Sequence, residues 1–124
     1  MPVVKWEVEP DRPICIEMRL NSPLLVDAEV YVRQPDAVKW QRVWKSEFAE
    51  DVPAGRIAIT LDPLPAGAHL LLAAFFFGAR KTQYRAEFRV DQPDGDLPAA
   101  ELAPITGTTG TRNSAAVEQE VELT

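Results

Sequence analysis

The sequence has one cysteine, one histidine and six glycines, and each scarcity closes off a class of function. A lone Cys15 cannot form a disulfide within the chain. One histidine and one cysteine cannot assemble a typical zinc site. His69 would need a nucleophile beside it to serve a Ser-His-Asp or Cys-His hydrolase. No glycine-rich phosphate-binding loop is present, and the expectation is a protein without catalytic residues, cofactor or metal. Apolar runs are also short. The longest, Leu70 to Phe77, is strand-sized, well below the ~18 residues of a membrane span. The start of the chain, Met1-Pro2-Val3-Val4-Lys5, lacks a charged leader followed by an apolar run, so a cytoplasmic protein is expected, with signal-independent export as the alternative.

An excess of positive charge is missing too. The net charge is −6. Residues 1–90 carry twelve acids and twelve bases, whereas residues 91–124 carry seven acids and one base, Arg112. The acidity therefore belongs to the C-terminal quarter. A chain with no basic patch is not expected to bind nucleic acid or an anionic membrane.

What is plentiful is proline, eleven in all, and strict alternation of apolar and polar residues. Helices and central strands tolerate proline poorly. Pro10, Pro13, Pro23, Pro35, Pro53, Pro63 and Pro65 all fall between alternating segments. Those segments read as half-buried strands bounded by turns. In the first, Val4, Trp6 and Val8 share a face. Ile14, Ile16, Met18 and Leu20 do so in the second, with Cys15, Glu17 and Arg19 opposite. Val26, Ala28, Val30 and Val32 face inward in the third. Val38 to Phe48 is irregular, with Trp40, Arg42 and Trp44 in one phase, and fits an edge strand with a bulge. Ile57, Ile59 and Leu61 point inward in the fifth. The seventh, Thr82 to Val90, points Tyr84, Ala86, Phe88 and Val90 inward.

The sixth strand, Ala68 to Phe77, is apolar on both faces. We read His69, Leu71, Ala73, Phe75 and Phe77 as the core face and Leu70, Leu72 and Phe76 as a second face needing a cover. After Asp91 the pattern disappears into a Pro-, Gly-, Thr- and Ala-rich run. It returns at residues 115–123, where Val117, Val121 and Leu123 alternate with Glu118, Glu120 and Glu122. A run this long without periodicity reads as a linker or arm. The expected organisation is a sandwich over 1–91 and an acidic arm over 92–124 whose terminal strand docks on a sheet edge.

Seven or eight antiparallel strands at this spacing resemble the immunoglobulin-like and fibronectin type III sandwiches. The segment Leu64-Pro65-Ala66-Gly67-Ala68-His69-Leu70-Leu71 resembles the corner-then-strand pattern L-x-x-G-x-Y-x-L of bacterial immunoglobulin-like domains. His69 stands where those domains usually carry Tyr. The resemblance implies that it replaces a corner tyrosine and bonds nearby backbone.

Three candidate sites follow. Leu70, Leu72 and Phe76, together with Val117, Val121 and Leu123, would carry a protein–protein contact, with self-association and strand exchange by the arm. Trp40, Trp44 and Tyr31 would alternatively form an aromatic platform for a glycan, against the plainer reading that aromatics on strands fill cores. The loop Asp91-Gln92-Pro93-Asp94-Gly95-Asp96 is weakly calcium-like but lacks the spacing and terminal Glu of an EF-hand; a solvated linker is the plainer reading.

Overall fold

A computed structural model describes residues 3–21, 25–46, 55–111 and 114–124. The described residues contain no helix and ten strands. These are β1 (Val4–Trp6), β2 (Ile14–Asn21), β3 (Leu25–Arg33), β4 (Gln41–Lys45), β5 (Arg56–Leu61), β6 (His69–Phe77), β7 (Gln83–Asp91), β8 (Ala100–Glu101), β9 (Ile105–Thr108) and β10 (Ser114–Leu123). They form two sheets. Sheet A runs β1-β10-β6-β3-β4, and sheet B runs β5-β2-β7-β8, with β9 also paired to β7. Their inward side chains build one buried cluster, from Ile14, Ile16 and Met18 on β2 to Leu72, Phe76, Val121 and Leu123 on sheet A. Two sheets sharing one core is the architecture of a β-sandwich.

Strands with one polar and one apolar face take the faces that alternation predicts. Ile16, Met18, Val30 and Phe88 are buried, and the residues between them reach solvent. Cys15 faces outward on sheet B, 3.6 Å from the Thr60 hydroxyl. Ile59 is half-buried rather than enclosed, because β5 is an edge strand.

Strand β6 corrects the sequence expectation: its faces are exchanged. Leu70, Leu72 and Phe76 are fully buried in the core between the sheets, whereas Leu71 and Phe75 are half-buried on the outside and Phe77 is 42% exposed. The reason is register. Leu70 lies between Val32 and Val121, and Ala74 between Ala28 and Val117, all inward. Leu71 lies between Tyr31 and Glu120, and Ala73 between Glu29 and Glu118. Cross-strand neighbours share a face, so the carboxylates of β3 and β10 carry this phase of β6 outward with them.

The C-terminal strand departs from expectation in place rather than in pattern. Val117, Val121 and Leu123 point inward as the alternation requires. But β10 lies inside sheet A, antiparallel to β6 and parallel to β1, so it does not dock on an outer edge and the sheet is mixed rather than antiparallel. The run before it is not a loose linker. Strands β8 and β9 pair with the two ends of β7 and cover its edge. They are two and four residues long, too short to show a period.

Side chains fasten this run further. The buried Gln92 donates to the backbone carbonyls of Glu9 (2.8 Å) and Arg12 (3.1 Å) and accepts from the Glu9 N–H (2.8 Å). The indole of Trp6 donates to the Pro98 carbonyl at 3.0 Å. The Thr109 hydroxyl donates to the Ala79 carbonyl (2.7 Å) and accepts from the Thr82 N–H (3.0 Å). At the corner before β6, Gly67 adopts φ 93°, a left-handed conformation open to glycine, and its N–H donates to the Leu123 carbonyl at 2.7 Å.

Candidate interaction surface on sheet A

The outer face of sheet A carries His69, Trp40 and Tyr31, whereas Leu70, Leu72, Phe76, Val117, Val121 and Leu123 lie in the core. Row by row in register, the outer face carries Glu122, His69 and Arg33; then Glu120, Leu71, Tyr31 and Arg42; then Glu118, Ala73, Glu29 and Lys45; then Ala116, Phe75 and Asp27. The middle column is β6. Its lower half is apolar, and its upper end is His69.

His69 does not bond the backbone of its corner. Its Nδ1 lies 2.8 Å from Oε2 of Glu120, and its Nε2 lies 3.8 Å from Oε1 of Glu122. The reason is the same exchange of faces: as the first outward residue of β6, it meets the carboxylates of β10 instead of the corner. Trp40 packs edge-on against the imidazole, with ring centroids 6.4 Å apart. The guanidinium of Arg33 lies over the Trp40 ring, 5.0 Å from its centroid, a cation–π contact.

Tyr31 sits one row along. Its hydroxyl donates to Oε2 of Glu29, whose other oxygen accepts from Arg42 at 3.3 Å. The hydrogen bond to Glu29 pushes the phenol of Tyr31 above its ordinary value, helped by burial and the charge of Glu29 and opposed by Arg42.

The expected trio of Trp40, Trp44 and Tyr31 does not assemble. The pairing of β3 with β4 shifts register between Val30 and Tyr31, so Trp44 pairs with the inward Val30 and Arg42 with the outward Tyr31. The bulge sends Trp44 to the core side, where it is partly buried. Trp40 remains outside, but Arg33 covers one face of its ring. A stacking platform built on Trp40 and Trp44 needs both rings on one face, and Trp44 does not join Trp40 there.

The other outer face is different in kind. On sheet B, Glu17 stands opposite Arg89, and Arg19 opposite Glu87. Arg85 binds Glu87 at 2.7 Å, and Arg89 binds Asp91 at 3.5 Å. Opposite charges in register make this a solvated polar face. An open cleft of about 790 Å³ at its end is lined by Asn21, Thr82, Tyr84, Arg85, Thr106 and Thr108. It holds hydroxyls and an arginine already drawn to Glu87, and no nucleophile beside a base.

Cys15 and His69 project from opposite sheets and cannot form a catalytic pair. No group of histidine, cysteine and carboxylate side chains suited to a metal ion occurs among the described residues, the Asp91–Asp96 loop included. No helix among the described residues is long and apolar enough to cross a membrane.

Alternation in β3 places Tyr31 and Arg33 outward, opposite the inward Val30 and Val32, and the structure has them there. The grouping of His69 with Glu120 and Glu122 had no sequence signal, because the strands concerned are some fifty residues apart. No family model, no curated protein and no solved structure matches the chain.

Proposed function

We propose that the protein is an immunoglobulin-like β-sandwich acting as a non-enzymatic protein-interaction module, with the outer face of sheet A as its binding surface. The observation that carries the reading is the outward phase of β6. Leu71, Phe75 and Phe77 lie along the middle of a broad sheet, rimmed by charged side chains, while the outer face of sheet B is a ladder of ion pairs. An apolar centre within a polar rim is the anatomy of a protein interface. A flat face of this kind suits a protein surface better than a small molecule, which favours a concavity.

The immunoglobulin-like assignment is supported by connectivity. β2 pairs β5 in one sheet, and β3, β6 and β10 adjoin in the other, as in the Greek-key core of that class. The corner motif also falls at the start of the strand where that class carries its tyrosine corner. The departure is the insertion of β7 to β9 between β6 and β10. The proposal rests on the sheet face, which exchange of β10 between two chains would leave unchanged. The cytoplasm is the proposed setting, where the half-exposed thiol of Cys15 stays reduced.

Site-directed photocrosslinking tests the reading. A p-benzoylphenylalanine in place of Phe77 is expected to form a protein adduct in cells, and one in place of Thr60 on the opposite face is not. No adduct at position 77, or equal adducts at both, would overturn the assignment of this face.

A further inference from the structure

We propose that the occupant of this face is a second copy of the chain, packed face to face about a two-fold axis parallel to β6. The inference rests on the reading of the outer face of sheet A as a binding surface. Its ground is an asymmetry of charge across the sheet. On the β10 side of β6 the outward residues are Glu118, Glu120 and Glu122, with Lys5 of β1 beyond them, 4.0 Å from Glu122. On the β3–β4 side, Arg33, Arg42 and Lys45 outnumber Asp27 and Glu29. The apolar stripe of β6 separates the acidic half from the basic half.

A two-fold axis along β6 keeps every residue at its own height along the strands and exchanges the two halves. Register then dictates the meetings. Glu122 and Arg33 flank His69 at one height, so Glu122 of each copy lies over Arg33 of the other, twice per dimer. Glu120 lies over Tyr31, beside Arg42. The outward side chains of β6 meet their own counterparts. One kind of like-charge meeting results, Glu118 over Glu29, also twice per dimer, and there Arg42 at 3.3 Å already balances Glu29, with Lys45 adjoining in register. An axis across the strands would instead stack the three glutamates of β10 on their own copies. Self-complementarity selects the first axis, and an isologous interface demands that property.

The area is sufficient. The strands of sheet A, three residues long in β1, ten in β10, nine in β6, nine in β3 and five in β4, at about 3.4 Å per residue and about 4.8 Å apart offer roughly 590 Å² per copy, at the low end of the ~1,200–2,000 Å² total of a specific interface.

Sedimentation velocity on the full chain, in low and high salt, is the test. The expected mass is twice 13.8 kDa, with dissociation promoted by salt. R33E and E122R each set like charges over one another at two symmetric places and should weaken the dimer at least about tenfold. Mixing them restores both pairs, so R33E with E122R should form a heterodimer although each alone is monomeric. Arg33→Gln, which removes the charge at similar length, serves if R33E loses its thermal transition, and it should weaken the dimer less.

A chain that stays at 13.8 kDa at every concentration refutes the second copy. So do singly substituted chains that dimerise normally, or a mixture that does not associate. A monomer that still crosslinks a different protein through position 77 refutes this inference alone and leaves the binding face standing.

Discussion

Truncating Leu70 and Leu71 separately weighs the two faces of β6 against each other. Leu70 is fully buried between Val32 and Val121, and Leu71 is half-buried between Tyr31 and Glu120. Leu70→Ala removes three buried carbons, about 2.4 kcal/mol at ~0.8 kcal/mol each, before any penalty for the space left behind. The walls of that space belong to both neighbouring strands and cannot close on it freely. With the cavity term the cost is about 3–4 kcal/mol. Leu71→Ala removes the same atoms from a site already half in water, where the stems of Tyr31 and Glu120 can close over the gap. Its cost is about 1 kcal/mol. In a chain of this size 1 kcal/mol moves the melting midpoint by roughly 4 °C, so the two variants should melt about 10 °C apart. Urea titrations and thermal melts followed by circular dichroism, at concentrations where the chain is monomeric, measure both. If Leu71→Ala costs as much as Leu70→Ala, the assignment of faces is wrong and the outer surface loses its apolar stripe.

Three further outcomes are expected. The Tyr31 phenol should ionise above its ordinary value of about 10, followed by tyrosinate absorbance, and Glu29→Gln should lower it. Its raised value favours the neutral form in the folded state, so that stabilisation is complete below the unfolded value and disappears as pH rises through the folded one; an unchanged titration in Glu29→Gln contradicts the assigned cause. Gly55 has φ 68°, and a Cβ there would overlap the Leu20 carbonyl oxygen, so Gly55→Ala should cost more than about 2 kcal/mol in urea unfolding; under ~0.5 kcal/mol would show that Gly55 does not approach Leu20 so closely. A chain ending at Thr111 loses Val117, Val121 and Leu123 from the core and should lack a cooperative transition; a stable truncated monomer would mean that β10 is dispensable.

What was legible in the sequence was the face of each strand that has one polar side. β2, β3, β7 and β10 were readable because a misplaced arginine or glutamate in the core is costly, which leaves one arrangement. β6 was not, because either phase could be buried. The one polar residue at its head, His69, was the available signal for the outward phase. Periodicity also says nothing about neighbours: it makes 115–123 a strand without placing it between β1 and β6. The failure of the Trp40–Trp44 pair has another cause, a single bulged residue that inverts every face beyond it.

The position of β10 has a consequence for synthesis. Every strand that β10 touches emerges from the ribosome before it does, and the parallel pairing of β1 means that the earliest strand waits for the latest. Until residues 114–123 are released, β6 has one edge unpaired and its inward leucines and Phe76 lack the cover of Val117 and Val121. The segment Leu70–Phe77 contains no charge and no proline, the composition of a stretch that pairs readily with other chains. Nascent copies on one polysome, held at high local concentration with the same strand incomplete, are the population most exposed to that hazard. Slowing translation between the codons for β6 and those for β10 should therefore raise the insoluble fraction, while a similar pause before β6 is translated should not.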